Sequence, residues 1–146
     1  MKKLKNIMVT IVLLFSLLGL PTKDSANEPE ITQPPTPTFE QEISRIFKDK
    51  SNIALAVFEH ESNGGDIDAK NYNCRYNGKS TFCKKGDEKK AWSVDCGKAQ
   101  INVKGQVCPP ELMTDEGQIK AIERIYKEQG LNAWVSYKSG AYKKFL

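Results

Sequence analysis

The chain has 146 residues, a formal net charge of +4, four cysteines and one histidine. That length holds one domain with accessory segments and excludes two full hydrophobic cores. From Phe39 onward, 18 Lys and Arg stand against 15 Asp and Glu, a mild basic excess without the aromatic-interleaved clusters of a nucleic-acid binder.

The opening stretch, MKKLKNIMVTIVLLFSLLGL, carries Lys2, Lys3 and Lys5 ahead of an uncharged run from Ile7 to Leu20. A charged start followed by a short apolar run reads as a secretory signal, assigned to residues 1–25. The run is short for a bilayer span. PTKDSAN, which follows, has no clean A-x-A cleavage pattern and no cysteine for lipid attachment. An uncleaved anchor over residues 7–20 is therefore the alternative, and the chain's sole expected contact with a membrane. Either way the remainder is exported, to the periplasm or to the cell wall and beyond. Residues 26–38 contain NEPEITQPPTPT, with four prolines and no periodicity, and read as a semi-rigid spacer. The folded domain is assigned to residues 39–146.

Thr38 begins TFEQ, a capping box with Gln41 at the third helical position. Phe39, Ile43, Ile46 and Phe47 follow at helical spacing, which predicts a helix to about Lys48. A second helix starts near Ser51, carries six successive apolar residues from Ile53 to Phe58, and stops at Ser62-Asn63-Gly64-Gly65. From Asp66 to Pro110 the chain is polar and rich in Gly, Asn and Cys. Loops are expected there, with one small hairpin at Asn77-Gly78 in RYNGKS. A third helix begins at Thr114, presents Ile119, Ile122, Ile125 and Tyr126, and ends at Gly130. Asn132 is placed as the cap of a last helix, AWVSYKS, broken at Gly140.

Export sets the reading of Cys74, Cys83, Cys96 and Cys108. None forms a C-x-x-C pair and His60 is poorly spaced to complete a zinc site, so neither metal nor other cofactor is expected. Outside the cytosol an even count implies two disulfides with three connectivities open, local closure being the simplest. The fold expected is mainly α: a small helical domain with a disulfide-held loop or hairpin region.

Within AVFEHESNGG, geometry separates Glu59 from Glu61. At about 100° per residue, Glu61 falls among Ile53, Ala54, Val57 and Phe58 and extends the bulkier apolar stripe. It also lies in the last turn, where low dielectric and the negative end of the helix dipole both disfavour an anion. A carboxyl group that keeps its proton is what a general acid requires; an ordinary polar residue at an exposed helix end is the alternative. SVDCGKAQIN places Asp95, Gly97, Gln100 and Asn102 in a tight polar stretch around the apolar Ile101, and AWVSYKSGAY sets Trp134, Tyr137 and Tyr142 around Gly140.

Taken in order, ESNGGDIDAKNYN, DCGKAQIN and WVSYKSGAYKKFL resemble the three motifs of the lysozyme superfamily. They are similar in particular to the lytic transglycosylases with a soluble-transglycosylase domain. The likeness spans Phe39 to Leu146 and implies a lysozyme-like fold. It further implies cleavage of the β-1,4 bond between N-acetylmuramic acid and N-acetylglucosamine in peptidoglycan strands, the partner it names. It makes Glu61 the acid and then the base while the sugar's own 6-hydroxyl closes a 1,6-anhydro ring. Ser62, Gly97, Gln100, Ile101, Asn102 and Tyr142 are then substrate-binding positions, and Tyr137 orients Glu61 through its hydroxyl. Departures stand at Lys98-Ala99, where the family has small or apolar residues, and at Ser136-Tyr137-Lys138, where it has Ala-Tyr-Asn. SVDCGKAQIN also resembles the loop of animal lysozymes whose aspartate is the second catalytic carboxylate. Asp95 is thus either a turn cap or the partner of Glu61 in a hydrolase. A non-catalytic glycan-binding module is the remaining alternative, and secretion or pilus-assembly machinery the setting such domains serve.

Overall fold

Helix α1, Phe39–Phe47, starts as its capping box dictates. Gln41 donates its backbone N–H to the Thr38 hydroxyl at 3.3 Å, and Thr38 donates its own to Gln41 Oε1 at 2.8 Å. The computed structural model describes residues 34–146; the segment read as signal or anchor and most of the spacer lie outside it. A 3₁₀ turn over Lys48–Lys50 leads into α2, Ser51–Ser62, which Asn63 ends in the left-handed conformation at φ 56°. Helix α3, Asp115–Gln129, is capped by the Thr114 hydroxyl. The last helix is shorter than expected. Gly130–Ala133 forms a 3₁₀ turn instead, and α4 runs only from Val135 to Ser139, after Trp134 rather than Asn132.

These helices share one core. Phe58 of α2 lies edge-on to Phe39, Phe47 and Trp134 at centroid distances of 6.3, 5.9 and 5.1 Å, a favoured aromatic arrangement. Ile43, Ala54, Val57 and Ile122 complete its interior with no exposed surface.

The mainly α expectation is overturned between α2 and α3. There the chain builds a four-stranded antiparallel sheet from β1 (Lys70–Tyr76), β2 (Lys79–Phe82), β3 (Ser93–Cys96) and β4 (Ile101–Lys104), ordered β2-β1-β3-β4. The protein is therefore mixed α/β. Asn77-Gly78 does turn the first hairpin, with φ of 51° and 77°. The second hairpin, β3 to β4, stands where only loop was expected.

The sheet has two unlike faces, as strand alternation allows. Val94 and Cys96 point to a small second core with Cys108, Tyr72, Val103, Leu112 and Met113. Asn73, Asp95 and Asn102 occupy the other face. The disulfides close locally, Cys74–Cys83 and Cys96–Cys108, with sequence separations of 9 and 12. Loops of that size contribute about 2–3 kcal/mol each in the chain-entropy view. The Cys74–Cys83 segment is also held by Asp87, which accepts from the Tyr76 hydroxyl and the Lys90 ammonium, both at 2.7 Å. Lys90, and then Tyr76, hold the Asp87 carboxyl below the usual carboxylate range.

Helices and sheet meet at Gln118. Its fully buried amide accepts from Ala99 N–H at 3.0 Å and donates to the carbonyls of Cys96 and Leu112, at 3.1 and 2.6 Å. The turn it grips starts at Gly97, with φ 68°, where a Cβ would lie 2.3 Å from Gln118 Nε2 and 2.9 Å from the Leu112 carbonyl. Lys98 adds a second tie, its ammonium 2.7 Å from Asp115 and 4.4 Å from the centre of the Phe39 ring. This accounts for a charged residue at that position. Gln118→Ala strands two carbonyls and one N–H in the interior and is expected to cost about 3 kcal/mol. Gly97→Ala is expected to be comparably destabilising. Urea unfolding of each variant against wild type measures both.

Candidate active site

Glu61 sits one residue before the end of α2, half-buried. Its Oε1 accepts from the Ser136 backbone N–H at 3.0 Å and from the Ser136 hydroxyl at 2.6 Å. Ser136 itself is buried, in the first turn of α4. The carboxylate on the apolar stripe is thus paired across 75 residues of sequence rather than left in water. Oε2 has no hydrogen-bond partner among the described residues and is the oxygen left for chemistry.

Asp95 lies in the middle of β3, so it does not cap a turn. Asn73 of β1 donates its amide to Asp95 Oδ2 at 2.9 Å, and Asn102 of β4 donates to Oδ1 at 2.6 Å. Asn102 also donates to the Ser93 hydroxyl at 3.1 Å. Three adjacent strands therefore fix the plane of one carboxylate.

Both carboxylates line the same groove, of about 340 Å³, with Asn73, Trp92, Gln100 and Trp134. Gln100, at φ 48°, accepts from the Asn71 amide at 2.7 Å and donates to the Gly97 carbonyl at 2.8 Å. Past it the groove runs on along Ile101 towards Ile125 and Gln129, the two hollows sharing Gln100, Asn102, Ala133 and Trp134. Trp134 is locked by its indole N–H, which donates to the Ala99 carbonyl at 2.9 Å. A wider hollow of about 450 Å³ lies beside the start of α3. Of its charged lining residues Glu111, Glu116, Lys120 and Arg124, Glu116 and Lys120 are paired with each other and Arg124 with Glu128. Convergent polar groups are what distinguish the first groove.

The structure therefore brings together Glu61, Asp95, Gln100 and Asn102, with Ile101 in the continuation. It does not bring the others. Ser62 is buried and donates its hydroxyl back to the Phe58 carbonyl at 2.9 Å. Gly97 serves the Gln118 contact. Tyr137 stacks on Tyr142 at 5.5 Å against the helical core, and the hydroxyl expected from Tyr137 at Glu61 comes from Ser136 instead. Asn73 and Trp92, which line the groove, and Ser136, which holds Glu61, are not assigned by the sequence reading, since the contacts that place them join residues distant in sequence. Among the described residues no group of three or more His, Cys, Asp or Glu is arranged to hold a metal ion.

No family model, no curated protein and no solved structure matches this chain.

Ser136→Ala leaves Glu61 Oε1 with one donor instead of two. It is expected to lower stability by about 1 kcal/mol, the net contribution of a typical hydrogen bond, read by thermal denaturation beside Glu61→Gln.

Proposed function

We propose that the protein cleaves the β-1,4 glycosidic bond between N-acetylmuramic acid and N-acetylglucosamine in peptidoglycan, with Glu61 as the general acid and Asp95 as the second carboxylate. The observation that carries this reading is that the two carboxyl groups, one from a helix end and one from mid-sheet, line a single groove. Two carboxylates flanking a scissile bond is the arrangement glycoside hydrolysis uses. Glu61, its Oε1 held by Ser136, delivers a proton from Oε2 to the leaving glycosidic oxygen. Asp95, held by two asparagine amides, faces the oxocarbenium-like carbon as nucleophile or counter-charge. A water molecule, deprotonated by Glu61, then adds at that carbon and frees the carboxylate. The disulfides suit work outside the cytosol.

The order of the three motifs supports a second outcome from the same groove. In it Glu61 alone acts, as acid and then base, and the 6-hydroxyl of the muramic acid closes a 1,6-anhydro ring. The two products differ by one water.

Purified cell wall digested with the wild-type protein and analysed by mass spectrometry distinguishes them: reducing-end muropeptides accompany the first, anhydro-muropeptides the second. Glu61→Gln is expected to lose about 10³-fold in muropeptide release with its circular dichroism unchanged. Asp95→Asn is expected to lose at least about 10²-fold under hydrolysis and little under ring closure. Release undiminished in Glu61→Gln would falsify both.

A further inference from the structure

Five large apolar side chains are exposed among the described residues: Phe82, Val107, Val135 and Leu146 strongly, and Trp92 over 39 % of its surface. Trp92 and Val135 line the groove. Phe82 is the direct cross-strand partner of Asn73, so it projects from the same sheet face as the amide that holds Asp95. Three of the five thus stand at the groove or on the sheet face that borders it. Aromatic rings on such a face present what the C–H face of a sugar packs against.

Arg75 adds a charge to this end of the groove. It is exposed, lies two residues beyond Asn73 on the same face of β1, and is paired with Ser80, itself a groove residue. Two residues along a strand is about 7 Å. Its guanidinium stands 4.8 Å from the centre of the Trp92 ring, within cation–π range. Arg75 takes part in no ion pair among the described residues. Its forked donors therefore remain free for a planar anion. A glycan carrying carboxylates is repelled by the Asp95 carboxylate, and a cation placed along the strand offsets that repulsion.

We infer that Arg75 and Trp92 form a subsite for the carboxylate-bearing substituent of the glycan. Trp92 packs on the sugar ring while Arg75 holds the carboxylate of its lactyl group or of the peptide attached there. This rests on the glycan-cleaving reading of the groove and adds the selection of acidic over neutral strands.

The test uses calorimetric titration of the non-cleaving Glu61→Gln protein. Its probes are the N-acetylglucosamine–N-acetylmuramic acid disaccharide, the same sugar bearing a dipeptide, and neutral diacetylchitobiose. Adding Arg75→Gln is expected to weaken the acidic probes about tenfold and leave the neutral one unchanged. Adding Trp92→Ala is expected to weaken all three. Charge dependence in the bare disaccharide assigns the lactyl carboxylate; dependence only with the dipeptide assigns the peptide. Equal loss for acidic and neutral probes, or none, overturns the subsite even if cell wall is cleaved. Arg75-dependent binding of acidic probes by a protein that never releases muropeptides keeps the subsite and removes the cleavage reading.

Discussion

The structure depends on one buried amide. Gln118 donates to the Leu112 carbonyl ahead of α3 and reaches from the first turns of that helix into the bend between β3 and β4, where it satisfies the Cys96 carbonyl and the Ala99 N–H. The bend packs against the helices, with Cys96 and Ala99 wholly buried. Without a side chain of that length and polarity the bend would have to open to water, since unpaired buried amides are costly. The bend is what sets the path of β3 into β4, and with it the positions of Asp95, Gln100 and Asn102. Gly97 and the Cys96–Cys108 bridge serve the same corner, one by making room for the amide and one by tying down the strand end.

From that corner the groove follows by a division of labour. The helical side contributes a carboxylate that is otherwise costly, set on an apolar stripe and at the unfavourable end of a dipole. The sheet contributes a carboxylate surrounded by amide donors. Two acids in one groove thus meet different surroundings, one against the core with a single engaged oxygen, the other with both oxygens engaged. The sheet can offer its polar face to the groove because its other face is closed by a second small core and the disulfides.

How much of this was legible follows from the range of each interaction. The helices α1, α2 and α3 were readable because a capping box, a 3.6-residue period and an Asn-Gly-Gly stop are local. The β3–β4 hairpin was not. Its strands are only four residues long: SVDC and INVK do alternate between polar and apolar, but over too few residues to separate a strand from a polar loop. Glu61 was legible because a charge on an apolar stripe contradicts its surroundings within a few residues. Asp95 was legible as a residue and not as a role, since what separates a cap from a poised carboxylate is the pair of cross-strand asparagines. Ser136 stands out only as a departure from the Ala-Tyr-Asn pattern, with nothing local to give its role. Its meaning lies in a contact with a residue 75 positions away.

The same reasoning bears on why an aromatic and a cation should stand exposed at the hairpin end of the groove. A small domain with two modest cores gains stability by burying every large apolar side chain it can. Trp92, between the buried Ala91 and Ser93, still keeps 39 % of its surface exposed, beside the Arg75 guanidinium. Stability alone does not select that arrangement, because an exposed cation–aromatic pair contributes on the order of 0.5–1 kcal/mol, less than burying an indole. What the arrangement does supply is a pre-ordered surface, apolar below and cationic above, on the polar face that carries Asp95. A ligand that matches it must be flat and apolar on one side and anionic at its edge. An acidic sugar has that form.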